Sequence, residues 1–135
     1  MKEHAAIVIK KDDKFLFIKR SLNKKTLPGI WSFPSGTKED NENIFNTAIR
    51  EAKEELNIKI VPEKIIAEKE LQEFSTKLTF ILCKIENEQN LKLDYNEIEK
   101  IDYLSFEEFF NKFSDNEVGH GLIWLRKNPK IWKNL

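Results

Sequence analysis

Short apolar runs separated by polar breaks open the chain. Ala5–Ile9 and Lys14–Ile18 are dense in β-branched and aromatic residues and flank the polar stretch Lys10-Lys11-Asp12-Asp13, which predicts a β-hairpin. Residues 20–30 lose all periodicity and end at Pro28-Gly29, the signature of a loop. Trp31–Phe33 reads as a short extended piece leading into Pro34-Ser35-Gly36. The period then changes. Between Ile44 and Leu56 the apolar residues Phe45, Ala48, Ile49, Ala52 and Leu56 recur at helical spacing, so an amphipathic helix is expected to dock by that stripe. Asp40 and Glu42 stand before its positive end, where acidic groups are favoured.

Beyond the helix the strand pattern returns. Residues 58–61, 65–73 and 77–86 read as strands, the last two paired as a hairpin around Ser75-Thr76, and Ile98–Leu104 reads as another. Ser105 and Glu108 form a capping box for a helix at 106–113. A last helix is expected from Asn116 to Lys127 behind Asp115, stopped by Asn128-Pro129. Strands and helices mix without βαβ alternation, which implies an α+β fold, or an α/β/α sandwich around a mixed β-sheet. At 135 residues the chain is read as a single domain, 1–135, without repeat or linker.

Charge narrows the partners. Lys+Arg and Asp+Glu are 23 each, so there is no broad basic field for duplex nucleic acid or an anionic membrane. The single cysteine, Cys83, rules out an internal disulfide framework and suits a reducing compartment. Ala5–Ile9 is too brief for a signal h-region or a membrane span. A soluble, cytoplasmic protein is the expectation. His4 and His120 are isolated and read as surface or capping residues.

One stretch carries chemistry. Gly36 is followed after five residues by Glu42, after seven more by Arg50-Glu51, and two beyond that by Glu54-Glu55. On a helix Glu51, Glu54 and Glu55 occupy i, i+3 and i+4 and project from one side, away from the apolar stripe. Three clustered carboxylates repel one another, and Mg²⁺ or Mn²⁺ favours such hard oxygen ligands. Taken alone, the triplet reads more readily as an ordinary solvated helix face. Gly36, Glu42 and Arg50 in fixed register favour the metal site.

The spacing resembles the Nudix box, G-x5-E-x7-R-E-U-x-E-E-x-G-U with U apolar, at every position but one: Asn57 stands where that family has Gly. The resemblance implies a Nudix-type α/β/α sandwich and assigns roles. Glu54 and Glu55 match the central metal-binding pair, with Glu54 alternatively orienting or deprotonating water, and Glu51 matches a further ligand. The carbonyl before the box glycine, here that of Ser35, completes the sphere; Arg50 and Glu42 match a structural pair bracing loop against helix. Glu97, in Asp94-Tyr95-Asn96-Glu97-Ile98, is similar to a family glutamate that serves as an extra ligand or base, and the bland alternative is a solvated loop carboxylate. Asn57 is expected to cap the helix in the left-handed conformation that Gly prefers and Asn tolerates.

For the substrate, Arg20 and Lys24 in the loop 19–25 supply positive charge suited to a polyphosphate. Trp31, Phe33 and Phe74 could offer a face for base stacking, with one of the first two expected to pack inward. The resemblance implies hydrolysis of a pyrophosphate bond in a nucleoside diphosphate linked to another group, with a MutT-like nucleoside triphosphate as the default. Two other readings stand beside it. The loop Arg20-Ser21 to Trp31 is also similar to that of isopentenyl diphosphate isomerases, which need an active-site cysteine and a histidine-rich metal site. A non-catalytic nucleotide-binding module on the same fold would typically lose box carboxylates, all of which are present here. The expected partner is a small nucleotide or other diphosphate; a homodimer is left open.

Overall fold

The parallel pairing of two strands far apart in sequence makes the sheet mixed. In the computed structural model, which describes residues 1–135, β1 (Lys2–Lys11) turns through Asp12 (φ 55°) into the antiparallel β2 (Lys14–Arg20). On its other side β1 runs parallel to β6 (Thr76–Asn87), from Lys2 opposite Thr76 to Lys10 opposite Lys84. Short β3 (Trp31–Ser32) and β7 (Ile98–Leu104) both pair with β2, and β4 (Ser35–Thr37) pairs with β1. β5 (Lys59–Leu71) lies at the far edge against β6, joined by a turn with Ser75 in the left-handed region (φ 48°). Both predicted hairpins are present.

Alternation along the strands divides two cores. Ala5, Ile7, Ile9, Leu16, Ile18, Ile81 and Cys83 face the helix α1 (Ile44–Leu56), with its Ala48, Ala52 and Leu56. Ala6, Val8, Phe15, Phe17, Phe80 and Leu82 face α2 (Phe106–Lys112) and α3 (His120–Arg126) through Phe106, Phe109, Leu122 and Leu125. Phe17 stacks on Phe109 with ring centroids 4.0 Å apart. The sheet is thus covered on both faces, an α/β/α sandwich. No helix is long and apolar enough to cross a membrane.

Three expectations need correction. The strands read at 58–61 and 65–73 are one strand, β5, whose pairing with β6 shifts register three times. Pro62, which donates no hydrogen bond, is tolerated because β5 is an edge strand. The docking face of α1 is rotated from the predicted stripe. Ala48, Ala52 and Leu56 are fully buried, whereas Phe45 (37% exposed) and Ile49 (39%) lie on the flank. Thr47 is fully buried as well, so the docked face turns toward Thr47 and leaves Phe45 and Ile49 at its margin. The last helix spans only His120–Arg126 behind Gly119; Asp115–Glu117 forms a separate 3₁₀ turn with its own Ser114–Glu117 capping box. Val118 is extended instead, bridging to Trp31, whose carbonyl accepts from the Gly119 N–H at 2.9 Å.

The ends of α1 follow the local rules. Asn43 accepts from the Asn46 N–H at 2.9 Å, satisfying one of the free donors of the first turn. Asn57 sits in the left-handed region (φ 53°, ψ 39°), and its N–H reaches the Lys53 carbonyl. That is the cap expected from the sequence.

Candidate active site

The short strand β4 and the helix α1 meet because residue 36 has no side chain. A Cβ there would stand 2.0 Å from the carboxyl carbon of Glu51. Ser35 and Gly36 on β4, Glu51, Glu54 and Glu55 on α1, Asp94 and Glu97 from the segment before β7, Arg20 at the end of β2 and His4 on β1 together line a hollow of about 340 Å³. Beside it lies a smaller, apolar hollow of about 190 Å³ that shares His4, Arg20 and Ser35 and is otherwise walled by residues such as Phe33, Leu78, Phe80 and Leu122.

Electrostatics in the acidic hollow are unbalanced in one place. Glu55 Oε2 is buried and has no hydrogen-bond partner. Burial above all, then repulsion from Glu51, pushes its carboxyl well above the usual range, against the opposing influence of the Ser35 backbone. Burial also raises Glu51, which Arg50 partly offsets. A buried carboxylate oxygen with further carboxylates around it is a donor set suited to a hard divalent cation. No three of these groups converge in ready coordinating geometry, and cationic side chains hold several of them. Arg50 Nη1 donates to Glu51 at 2.9 Å and approaches Glu54 at 3.4 Å, and Lys24 Nζ donates to Glu97 at 2.6 Å.

Behind the hollow, Arg50 ties the loop to the helix. Its Nε and Nη2 donate to the two Glu42 oxygens at 3.1 and 2.7 Å, and Nη2 also reaches the Thr37 carbonyl at 3.0 Å. Glu42 further accepts from the Glu39 N–H and the Thr47 hydroxyl. Led by the Arg50 bond, these donors lower the Glu42 carboxyl to about 2. The same bond with Glu42 is the main influence raising Arg50.

The proposed substrate residues divide. Arg20 lines both hollows, but its guanidinium donates to the Thr26 and Leu27 carbonyls at 2.9 and 3.2 Å and so also shapes the loop. Phe33 walls the apolar hollow while itself buried. Trp31 lines neither. It is buried on the α2 side of the sheet, stacked on Phe113 with centroids 4.9 Å apart, so both aromatics of the pair point inward rather than one. Phe74 is exposed and its ring tilts against His120, 5.0 Å away, at the edge of the apolar hollow.

Sequence reading missed His4 and Asp94. His4 is half-buried: it lines both hollows, its Nδ1 lies 3.2 Å from the Thr37 hydroxyl, and burial foremost, then Arg20 and Lys2, lowers its pKa. Only the register that sets His4 opposite Thr37 brings it there. Asp94 stood in the right stretch, but nothing in its spacing separates it from Glu97.

The site thus consists of an acidic helix and a glycine strand that bring carboxylates around a buried, unpaired oxygen. The chain belongs to the Nudix family: the family model for the NUDIX domain matches residues 1–123. Among relatives, Nudix hydrolase 2 of Arabidopsis thaliana is 27% identical over 79% of this chain, which spans 40% of that protein's length. The structure of MutT protein from Methanosarcina mazei Go1 superposes with a TM-score of 0.71, at 23% identity, over 87% of this chain and 84% of that one. A C. elegans Ap4A hydrolase in a binary complex superposes with a TM-score of 0.68, at 21% identity, over the whole of both chains. These two likenesses concern the fold.

Proposed function

We propose that the chain is a metal-dependent hydrolase that cleaves a pyrophosphate bond in a nucleoside diphosphate linked to another group, with a nucleoside triphosphate as the preferred substrate. The observation that carries this reading is the buried, unpartnered Glu55 oxygen in an acidic hollow that shares His4, Arg20 and Ser35 with an apolar one. A diphosphate and an attached base need two such neighbouring environments. Membership of the Nudix family supports the reaction class.

Glu51, Glu54, Glu55 and Glu97, with the Ser35 carbonyl, are the residues that would hold Mg²⁺ or Mn²⁺. The bound ion would neutralise pyrophosphate charge and lower the pKa of water. The protein's own share is placement. Glu54 or Glu97 accepts the proton of the attacking water, Arg20 offers charge to the phosphates, as does Lys24 when released from its ion pair with Glu97, and Phe33 lines the wall against which the base lies. Water adds to one phosphorus and the P–O bond to the leaving phosphate breaks.

The nucleoside triphosphate preference rests on the fold likeness to the MutT protein of Methanosarcina mazei. A dinucleoside polyphosphate is the second reading, since the Ap4A hydrolase fold is matched along the full chain. Isomerase chemistry lacks its nucleophile: Cys83, the single cysteine, is buried in β6 away from both hollows, and burial pushes its thiol up to about 12. Retention of every box carboxylate speaks against a binding module. A buried lone cysteine also fits a cytoplasmic location.

A panel of nucleoside triphosphates, damaged nucleotides, nucleotide sugars and dinucleoside polyphosphates, each with Mg²⁺ or Mn²⁺ and with products identified, tests the assignment. Fastest release of nucleoside monophosphate and pyrophosphate from a triphosphate is the expected result. Faster cleavage of a dinucleoside polyphosphate replaces that substrate, and no turnover on any member overturns the reading.

A further inference from the structure

We infer that Asn57 is a positioning residue for the acidic hollow: its side-chain amide straps residues 90–97 across the end of α1 and thereby sets where Glu97 stands relative to Glu55. Its consequence for metal binding rests on the function proposed above, whereas the strap itself does not.

The left-handed backbone at residue 57 (φ 53°) asks only for a residue that accepts positive φ, and Gly does so most readily. Asn adds a donor that Gly lacks. Its Nδ2 donates to the Asn90 carbonyl at 2.9 Å. Just beyond, the Lys92 N–H donates to the Leu56 carbonyl at 2.9 Å and the Asp94 N–H to the Glu55 carbonyl at 3.0 Å. A helix leaves its last carbonyls without internal donors, so this segment completes the C-terminal end of α1.

From Asp94 the connection to the hollow is short. The Glu97 and Ile98 N–H groups both donate to the Asp94 carbonyl, at 2.9 and 2.8 Å, and the Ser21 N–H closes on the Glu97 carbonyl at 2.9 Å. Glu97 then enters the hollow beside Glu55. Glu55 touches both places: its carboxylate lines the hollow and its backbone carbonyl accepts from the segment that carries Glu97. A shift of the segment along the helix end therefore changes the spacing of the two carboxylates directly. The Asn57 amide resists that shift from the helix end, as the Lys24–Glu97 ion pair at 2.6 Å does from the loop side.

The experiment compares Asn57→Gly, which keeps the backbone at ease and deletes the donor, with Asn57→Asp, which keeps the size and cannot donate. Amide hydrogen exchange at Lys92 and Asp94 and calorimetric Mn²⁺ titration are measured for each, alone and with Glu97→Gln. Both variants are expected to fold and to exchange those two amides faster. Mn²⁺ affinity should fall roughly threefold to tenfold, the scale of one hydrogen bond. With Glu97→Gln present, the residue-57 changes should have no further effect on Mn²⁺. Unchanged exchange in Asn57→Gly overturns the strap. An undiminished Mn²⁺ loss in the Glu97→Gln background overturns the route through Glu97. Failure of the wild-type protein to bind Mn²⁺ overturns the metal role here together with the proposed function, while the exchange result still decides the strap.

Discussion

Gly36 and Glu51 are packed so closely that a single methyl group on residue 36 would stand 2.0 Å from the Glu51 carboxyl carbon. The requirement for glycine here comes from the close approach of β4 and α1. The backbone of residue 36 is not in the left-handed region. What lies in the way is the far end of a flexible side chain, so the protein can accommodate Ala by swinging that carboxylate aside.

Gly36→Ala should therefore separate stability from activity. The melting temperature is expected to change modestly, because Glu51 can rotate and only its bond to Arg50 is disturbed. Turnover should fall at least ~10-fold, since a misplaced ligand loses the preorganisation on which metal chemistry depends. Equal losses measured by calorimetric melting and by kinetics would mean that Gly36 serves the fold alone.

Much of this arrangement was legible in the chain. The helix Ile44–Leu56, its left-handed end at Asn57 and the Ser105–Glu108 capping box follow from local pattern, because periodicity and caps act within a few residues. Contacts that depend on register were not legible. His4 reaches both hollows only because β1 pairs with β4, and Trp31 leaves the site because β3 joins the edge of β2 and turns the ring onto Phe113. The rotated stripe of α1 has a similar origin: sequence gives the helical period, but packing on the sheet decides that Thr47 is buried and that Phe45 and Ile49 are left at the margin.

Arg50 draws the loop at Thr37–Glu42 onto the helix through three donors and also restrains Glu51. Arg50→Ala should lower the melting temperature by several degrees and reduce activity with it, because Glu42 and the Thr37 carbonyl both lose a partner. Arg50→Lys should recover little, since an ammonium cannot span both Glu42 oxygens. An unchanged melting temperature with activity abolished would instead assign Arg50 to the substrate.

The Arg50–Glu42 pair also predicts how stability depends on acid. The folded-state carboxyl of Glu42 is lowered to about 2 from an ordinary 4.5, chiefly by Arg50. A lowered carboxyl contributes stability that is fully present above its unfolded pKa and is lost as pH falls through the folded one. Glu42's contribution should thus fade between about pH 4.5 and pH 2. In Glu42→Gln, denaturant unfolding followed across that range should show a shallower loss of stability with falling pH than in the wild type. Parallel curves would mean that Glu42 is not the acid-labile brace.

Glu55 carries the opposite sign. Its carboxyl is pushed well above the ordinary range, chiefly by burial, so the folded state is favoured below the unfolded pKa and loses that advantage as pH rises through the folded value. Without metal, Glu55→Gln should therefore melt higher than the wild type at pH 8 and close to it at pH 4, because the amide never has to ionise. Added Mg²⁺ should reverse the order at pH 8: it stabilises the wild type, whose carboxylate gains a cation, and leaves Glu55→Gln less affected. The same variant should lose at least ~10²-fold in kcat, as should Glu54→Gln, since a neutral amide cannot replace a carboxylate that neutralises an ion. Near-normal turnover in both, or a wild type that melts no lower than Glu55→Gln in metal-free buffer at pH 8, would remove Glu55 from the centre of the site.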